Sequence, residues 1–178
     1  MKKRVFSVVL IFLTVFLSGC EKATVEGFSL YRSTPLGFSM EYPSFWEKTA
    51  DVKEGIAAFV TPQEGFGDEY RENVSVQRFT PETPSLEDYS KKYLENLEGT
   101  LKNYKLVSEE DTELAGEPAY KIVYESQDDD ETASMRFLQI FALHGGNIYV
   151  LSYMADFNGY AYFLSFAEKM IATFRFLS

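Results

Sequence analysis

The chain has 178 residues, 46% of them apolar, which is enough for one domain with a buried core. Its formal net charge is −10, and without Lys2, Lys3 and Arg4 the remainder holds 14 basic against 27 acidic residues, a net of −13. A surface of that sign repels polyanions and sets nucleic acid aside as a partner, and a single cysteine excludes an internal disulfide.

Lys2-Lys3-Arg4 form a positive segment, and Val5 to Leu17 form an apolar one interrupted only by Ser7 and Thr14. The run is shorter than the roughly 20 apolar residues that span a bilayer, and small residues follow it, as in a secretory signal peptide. Leu17-Ser18-Gly19-Cys20 resembles the lipobox of prokaryotic lipoproteins. That resemblance implies removal of residues 1–19, diacylglycerol on the Cys20 thiol, and a mature chain held at the extracytoplasmic face of the cell membrane. Glu21, standing where Asp would retain the protein at the inner membrane, favours the outer membrane in a host that has one.

Residues 20–35 read as the lipidated cysteine and a polar tether, and residues 36–178 as the domain. Gly37 to Pro43 alternates apolar and polar, the period of a half-buried strand, and Pro43 ends it. Ile56 to Val60 and Asn73 to Phe79 predict two more strands, with a loop at Gly65-Phe66-Gly67 between them. Ser85 followed by Asp88 suits a helix cap, and Leu86, Tyr89, Tyr93, Leu94, Leu97 and Leu101 recur at steps of three and four. Lys105 to Leu114 and Pro118 to Ser126 predict strands joined through Ala115-Gly116. Met135 to Leu143 and Ile148 to Met154 are apolar on both faces, as central strands are, and His144-Gly145-Gly146-Asn147 suits the hairpin between them. Asn158 is placed to cap a last helix carrying Tyr160, Phe163, Leu164, Ala167, Met170, Ile171 and Phe174. Short hairpin links make the sheet antiparallel, so the expected class is α+β, an antiparallel sheet flanked by helices. An aromatic share of 16% suits such a sheet.

Several segments resemble the PsbP-like family, named for the extrinsic subunit of photosystem II. They are Gly37-Phe38-Ser39-Met40-Glu41-Tyr42-Pro43 with Trp46 behind it, Glu72-Asn73-Val74-Ser75-Val76, and Gly116-Glu117-Pro118-Ala119-Tyr120. The resemblance covers about residues 36–177. It implies an α/β/α sandwich and an accessory or binding role without catalysis, as in small exported lipoproteins of that family. A metal site attributed to plant members does not carry over to a chain with one histidine.

Few residues suit catalysis. His144 would have to serve any Ser-His-Asp site, yet it stands beside Gly145-Gly146, where a polar turn residue is expected anyway. No Gly-x-Ser-x-Gly elbow is present, and with one His and one Cys the usual nitrogen and sulfur ligands of a zinc site are missing. No cofactor is implied, and an enzyme, most plausibly a carboxylate or His144 hydrolase, ranks last. Asp128-Asp129-Asp130-Glu131 offers carboxylates to a hard cation but lacks the spacing of a dedicated calcium loop, so a solvated hairpin tip is the plainer reading. Glu109-Glu110-Asp111 would split between the two faces of a strand. Tyr42, Phe45 and Trp46 cluster beside Pro43, either as core or as a partner-binding patch. The same choice applies to Tyr149, Tyr153, Tyr160 and Tyr162. The leading expectation is a non-catalytic, membrane-anchored lipoprotein that binds a protein partner or assists an assembly, followed by a small-ligand or cation-binding module.

Overall fold

The computed structural model describes residues 27–63, 65, 70–82, 84–127 and 134–177. Five strands lead: β1 (Phe28–Ser33), β2 (Phe38–Pro43), β3 (Glu47–Asp51), β4 (Ile56–Val60) and β5 (Asn73–Phe79). Helix α1 (Leu86–Thr100) follows, then β6 (Lys105–Leu114), β7 (Glu117–Gln127), β8 (Ser134–His144) and β9 (Asn147–Asp156). Helix α2 (Tyr160–Thr173) and the short β10 (Arg175–Phe176) close the chain.

Seven strands form one antiparallel sheet in the order β3-β4-β5-β9-β8-β7-β6. The strands with apolar residues on both faces, β8 and β9, lie inside it, as the sequence predicts. Gly145 and Gly146 have φ of +56° and +77°, the backbone of a two-residue primed turn, so His144 and Asn147 close the hairpin as a pair. Cross-strand pairing sets one row across the sheet: Glu47, Val60, Asn73, Met154, Phe137, Tyr124 and Leu106.

Each face of the sheet carries its own core. On one face α1 covers Ile122, Tyr124, Phe141, Ile148 and Val150 with Leu97 and its half-buried Leu and Tyr side chains. Its N-terminus is capped as the sequence predicts: the Asp88 N–H donates to Ser85 Oγ at 3.1 Å, and Glu87 and Asp88 meet the positive end of the helix dipole. On the other face α2 and a three-stranded sheet, β1-β2-β10, cover Phe59, Val74, Val76, Leu151 and Tyr153. Phe38 and Phe174 stack there with centroids 5.3 Å apart. The result is the expected α+β architecture, with helices on both faces of an antiparallel sheet. No helix among the described residues is long and apolar enough to cross a membrane.

Four local readings change. Residues 28–33, read as tether, form β1, which pairs with β2 from Phe28↔Pro43 to Ser33↔Phe38. The folded unit therefore includes residues 28–33 and does not start at residue 36; a strand buried only by Phe28 and Ser33 at its two ends leaves no apolar alternation to read. Strand β3 is exposed along its whole length and β10 has two residues, so neither carries a periodic signal. Asn158 does not cap α2. Gly159 holds the N-cap position without a side-chain cap, and the Asp156 carboxylate accepts its N–H instead. Phe66 and Gly67 of the expected loop, and the charged run Asp128-Asp129-Asp130-Glu131, lie outside the described residues.

Candidate functional site

Helix α1 rests on β7 and β8, leaving the outermost strand β6 uncovered beside it. Ten residues long, β6 pairs among the described residues with β7 alone, and the backbone groups on its outer side face away from the sheet. The pairs Leu106↔Tyr124, Glu109↔Ile122 and Asp111↔Tyr120 place those three β6 side chains on the α1 face. Between helix and strand runs a groove in two joined lengths. A cavity of about 600 Å³ is lined by Leu86, Ser90, Leu94 and Tyr120 with Glu87, Lys91 and Asp111. A second, of about 430 Å³, continues past Lys91 and Leu94 to Tyr104 and Leu106, bordered by Glu95 and Glu98.

The groove floor is apolar and aromatic, and its rim is acidic. Glu87, Glu95 and Glu98 line it from α1 beside Lys91, and Asp111 lines it from β6. The Tyr120 hydroxyl donates to the Glu109 carboxylate. Burial, that hydrogen bond and the charges of Glu109 and Asp111 push the Tyr120 phenol up to about 12, so it stays a neutral donor at any physiological pH. Tyr104 is raised too, by burial first and then by Glu98 and Glu109. Beneath the floor Tyr104 packs on Tyr124 at 5.6 Å and Tyr124 stacks on Phe137 at 4.7 Å, which stiffens the surface. The register of β6 shifts between Leu106 and Ser108, and this bulge leaves Leu106 and Val107 exposed at one end of the groove.

The residues singled out in the sequence are scattered. Leu17, Ser18, Gly19 and Cys20 lie outside the described residues, as do Asp128, Asp129, Asp130 and Glu131. Tyr42 and Trp46 are core, 8% and 4% exposed, so they are not surface aromatics; Phe45 is, at 55%. Tyr149, Tyr153 and Tyr160 are likewise buried, whereas Tyr162 is 70% exposed. Glu109 and Asp111 share the groove face with Tyr120, while Glu110 turns to the opposite face and pairs with Lys121.

His144 is not free at an open tip. Its Nδ1 lies 2.8 Å from Glu117 Oε1 and its ring stacks on Phe176. No serine hydroxyl among the described residues bonds to it. A further cavity, of about 690 Å³, opens at the sheet end and includes Glu125, Gln127, Asp156 and Asn158. Hydrogen bonds from Arg136 and then Lys105 hold the Glu125 carboxyl below the usual carboxylate range, outweighing its partial burial. A carboxylate so neutralised is a poor proton carrier near neutral pH.

The sequence did not reveal the groove. Leu106-Val107 breaks the alternation of its strand, which signals a bulge, but edge position depends on pairing that no local pattern encodes.

A family described as PsbP-like protein matches residues 21–176 of the chain. No curated protein matches it. Among solved structures, a cyanobacterial PsbP (CyanoP) from Synechocystis sp. PCC 6803 aligns at 15% identity and a TM-score of 0.59, covering 90% of this chain and 98% of that one. LpqN, involved in cell envelope biogenesis of Mycobacterium tuberculosis, aligns at 10% identity and 0.60, covering 79% and 83%. A Pseudomonas aeruginosa protein of unknown function, described as a putative regulator, aligns at 19% identity and 0.55, covering 78% and 89%. At these identities the likeness is one of fold.

Proposed function

The chain belongs to the PsbP-like family, and from that premise we propose that it is a non-catalytic lipoprotein whose domain holds a protein partner in the groove between α1 and β6. Its anchor is diacylglycerol on Cys20, and its place is the extracytoplasmic face of the cell membrane, or of the outer membrane where the host has one. The role of LpqN in cell envelope biogenesis supports such a setting.

The observation that carries the reading is the open edge of β6 beside an apolar floor. An extended segment can add to such an edge through main-chain hydrogen bonds, with alternate side chains reaching the floor. Four carboxylates around Lys91 favour a segment with Lys or Arg on its flanks, and they oppose acidic ones. Catalysis finds no comparable support, since His144 and Glu125 are both engaged by structural partners.

The reading is tested with a photo-cross-linking residue placed at Leu94, at Leu106 and, as a control on α2, at Glu168. A shared partner captured from the native membrane at Leu94 and Leu106 but not at Glu168, with capture at Leu94 lost on Glu95→Lys combined with Glu98→Lys or on Leu106→Glu, supports the reading. Equal labelling at all three positions overturns it.

A second reading, small-ligand or cation binding, is favoured by the cavity of about 690 Å³ at the sheet end. A rise in melting temperature with calcium or a metabolite, reduced by Asp156→Asn, supports it; no shift across a broad screen removes it.

A further inference from the structure

The chain enters the fold at one end of the sheet. Gly27 O accepts the Ser44 N–H at 2.9 Å, which places the first described residue beside Phe45. Phe45 precedes Glu47, the first member of the row Glu47, Val60, Asn73, Met154 that crosses the sheet. Beyond the same row, Phe157 follows the end of β9, and Tyr162 stands in the first turn of α2. These are the exposed large aromatic side chains of the described residues: Phe45 at 55%, Phe157 at 53% and Tyr162 at 70%. All three lie at the end where the chain enters. The other exposed large apolar residues are aliphatic: Leu30, Val52, and Leu106 with Val107 at the far β6 edge of the same end.

The rings form a supported surface. Phe45 meets Phe166 edge-on at 5.8 Å, Tyr162 meets Phe163 at 4.7 Å, and Phe163 and Phe166 both rest on Trp46. Cations stand close by, over one of these rings and over the buried Phe28 that stacks on Phe166. Lys169 Nζ lies 5.6 Å from the ring of Phe28, and the Arg136 guanidinium lies 4.9 Å from that of Phe157. Aromatic rings mixed with Lys and Arg are the composition favoured at the headgroup level of a bilayer.

We propose that this end of the domain rests on the membrane, with Phe45, Tyr162 and Phe157 seated among the lipid headgroups. The inference rests on the lipid anchor at Cys20 proposed above. Seven Cα-to-Cα steps lead from Cys20 to Gly27, a span of at most roughly 25 Å, whereas a ten-residue strand such as β9 runs roughly 33 Å. The anchor therefore brings the aromatic end to the bilayer and keeps the opposite end of the sheet away from it. In this seating the rings oppose tumbling on the tether, and the α1–β6 groove, on the sheet face opposite α2, stays open to a partner.

Trp46, the only tryptophan in the chain, reports directly because it lies under Phe166. The mature chain from Cys20 is coupled through that single thiol to a maleimide lipid in phosphatidylcholine vesicles, with and without lipids bearing a nitroxide near the headgroup. Seating predicts that nitroxide lipid at least halves Trp46 emission, and that Phe45→Ser with Tyr162→Ser abolishes most of this quenching while the protein remains coupled. Tyr162→Glu serves should the double variant not fold. Emission indifferent to nitroxide, or quenched equally in the variants, overturns the proposal. So does an uncoupled chain that sediments as a dimer which the same substitutions return to monomer, because the rings then belong to a second copy. Coupling through maleimide makes the test independent of native lipidation, which the mass of the native N-terminal peptide decides separately.

Discussion

The imidazole of His144 lies flat on the ring of Phe176, centroids 4.2 Å apart and planes 11° from parallel, while Glu117 holds its Nδ1 at 2.8 Å. The β8–β9 hairpin thereby pins the last strand of the chain, and the only histidine is spent on structure.

His144→Ala is expected to cost about 1 kcal/mol, the scale of an aromatic pair in contact. Phe176→Ala alone costs more, because Tyr149 and Phe174 also pack on that ring. A double-mutant cycle by urea denaturation should return a coupling of about 1 kcal/mol between the two; zero coupling would show that the stacking is incidental.

Gly55 turns the chain between β3 and β4 with φ of +71°, and a Cβ there would stand 2.2 Å from the Arg78 carbonyl oxygen. The Arg78 N–H also donates to the Gly55 carbonyl at 2.8 Å, so the two backbones cannot part cheaply. Gly116 has φ of +88° with open space around it. Gly116→Ala should therefore cost only the left-handed strain, about 1–2 kcal/mol, and Gly55→Ala distinctly more. Thermal melts of the two variants side by side check the order.

Glu125 fixes the direction of an acid response. Its carboxyl is held below the usual range by Arg136 and Lys105, so its contribution is present above the unfolded carboxylate pKa and is lost as pH falls through the lower folded value. Glu125→Gln should cost about 2 kcal/mol at neutral pH, the scale of hydrogen bonds to charged groups, and less at low pH. Unfolding free energies measured from neutral to strongly acid conditions should converge; parallel curves would assign the acid response to other groups.

Cys20→Ala is expected to release the protein from membranes while leaving the melting temperature of the domain unchanged. Retention of the variant through a high-salt wash would defeat the lipid anchor.

Much of the fold was legible because burial imposed a period on the sequence. Alternation located β2 and put Val74 and Val76 on one side of β5, apolar runs located β4, β8 and β9, and Ser85 with Asp88 fixed the start of α1. What stayed hidden was built from residues without such a period. Strand β1 offers Phe28 and Leu30 among polar neighbours, β3 has no buried residue, and β10 is too short to show one. The groove was hidden for a different reason. Its floor joins Leu86 and Leu94 of α1 to Tyr104, Leu106 and Tyr120, brought together only once β6 takes the sheet edge. Trp46 and Phe45 are neighbours in sequence, yet one is core and the other surface, a division set by which of them turns under Phe163 and Phe166.

Strand β2 lies between β1 and β10, and the Leu177 N–H donates to the Gly37 carbonyl at 2.8 Å, so β2 gains its second neighbour only from residues 175–177. A contact of that sequence separation forms late, after long loop closure. For the exported route proposed above, a chain threaded from its N-terminus stays incomplete until the C-terminal residues have cleared the translocation pore. On that proposed route, locking is deferred until residues 175–177 reach the far side.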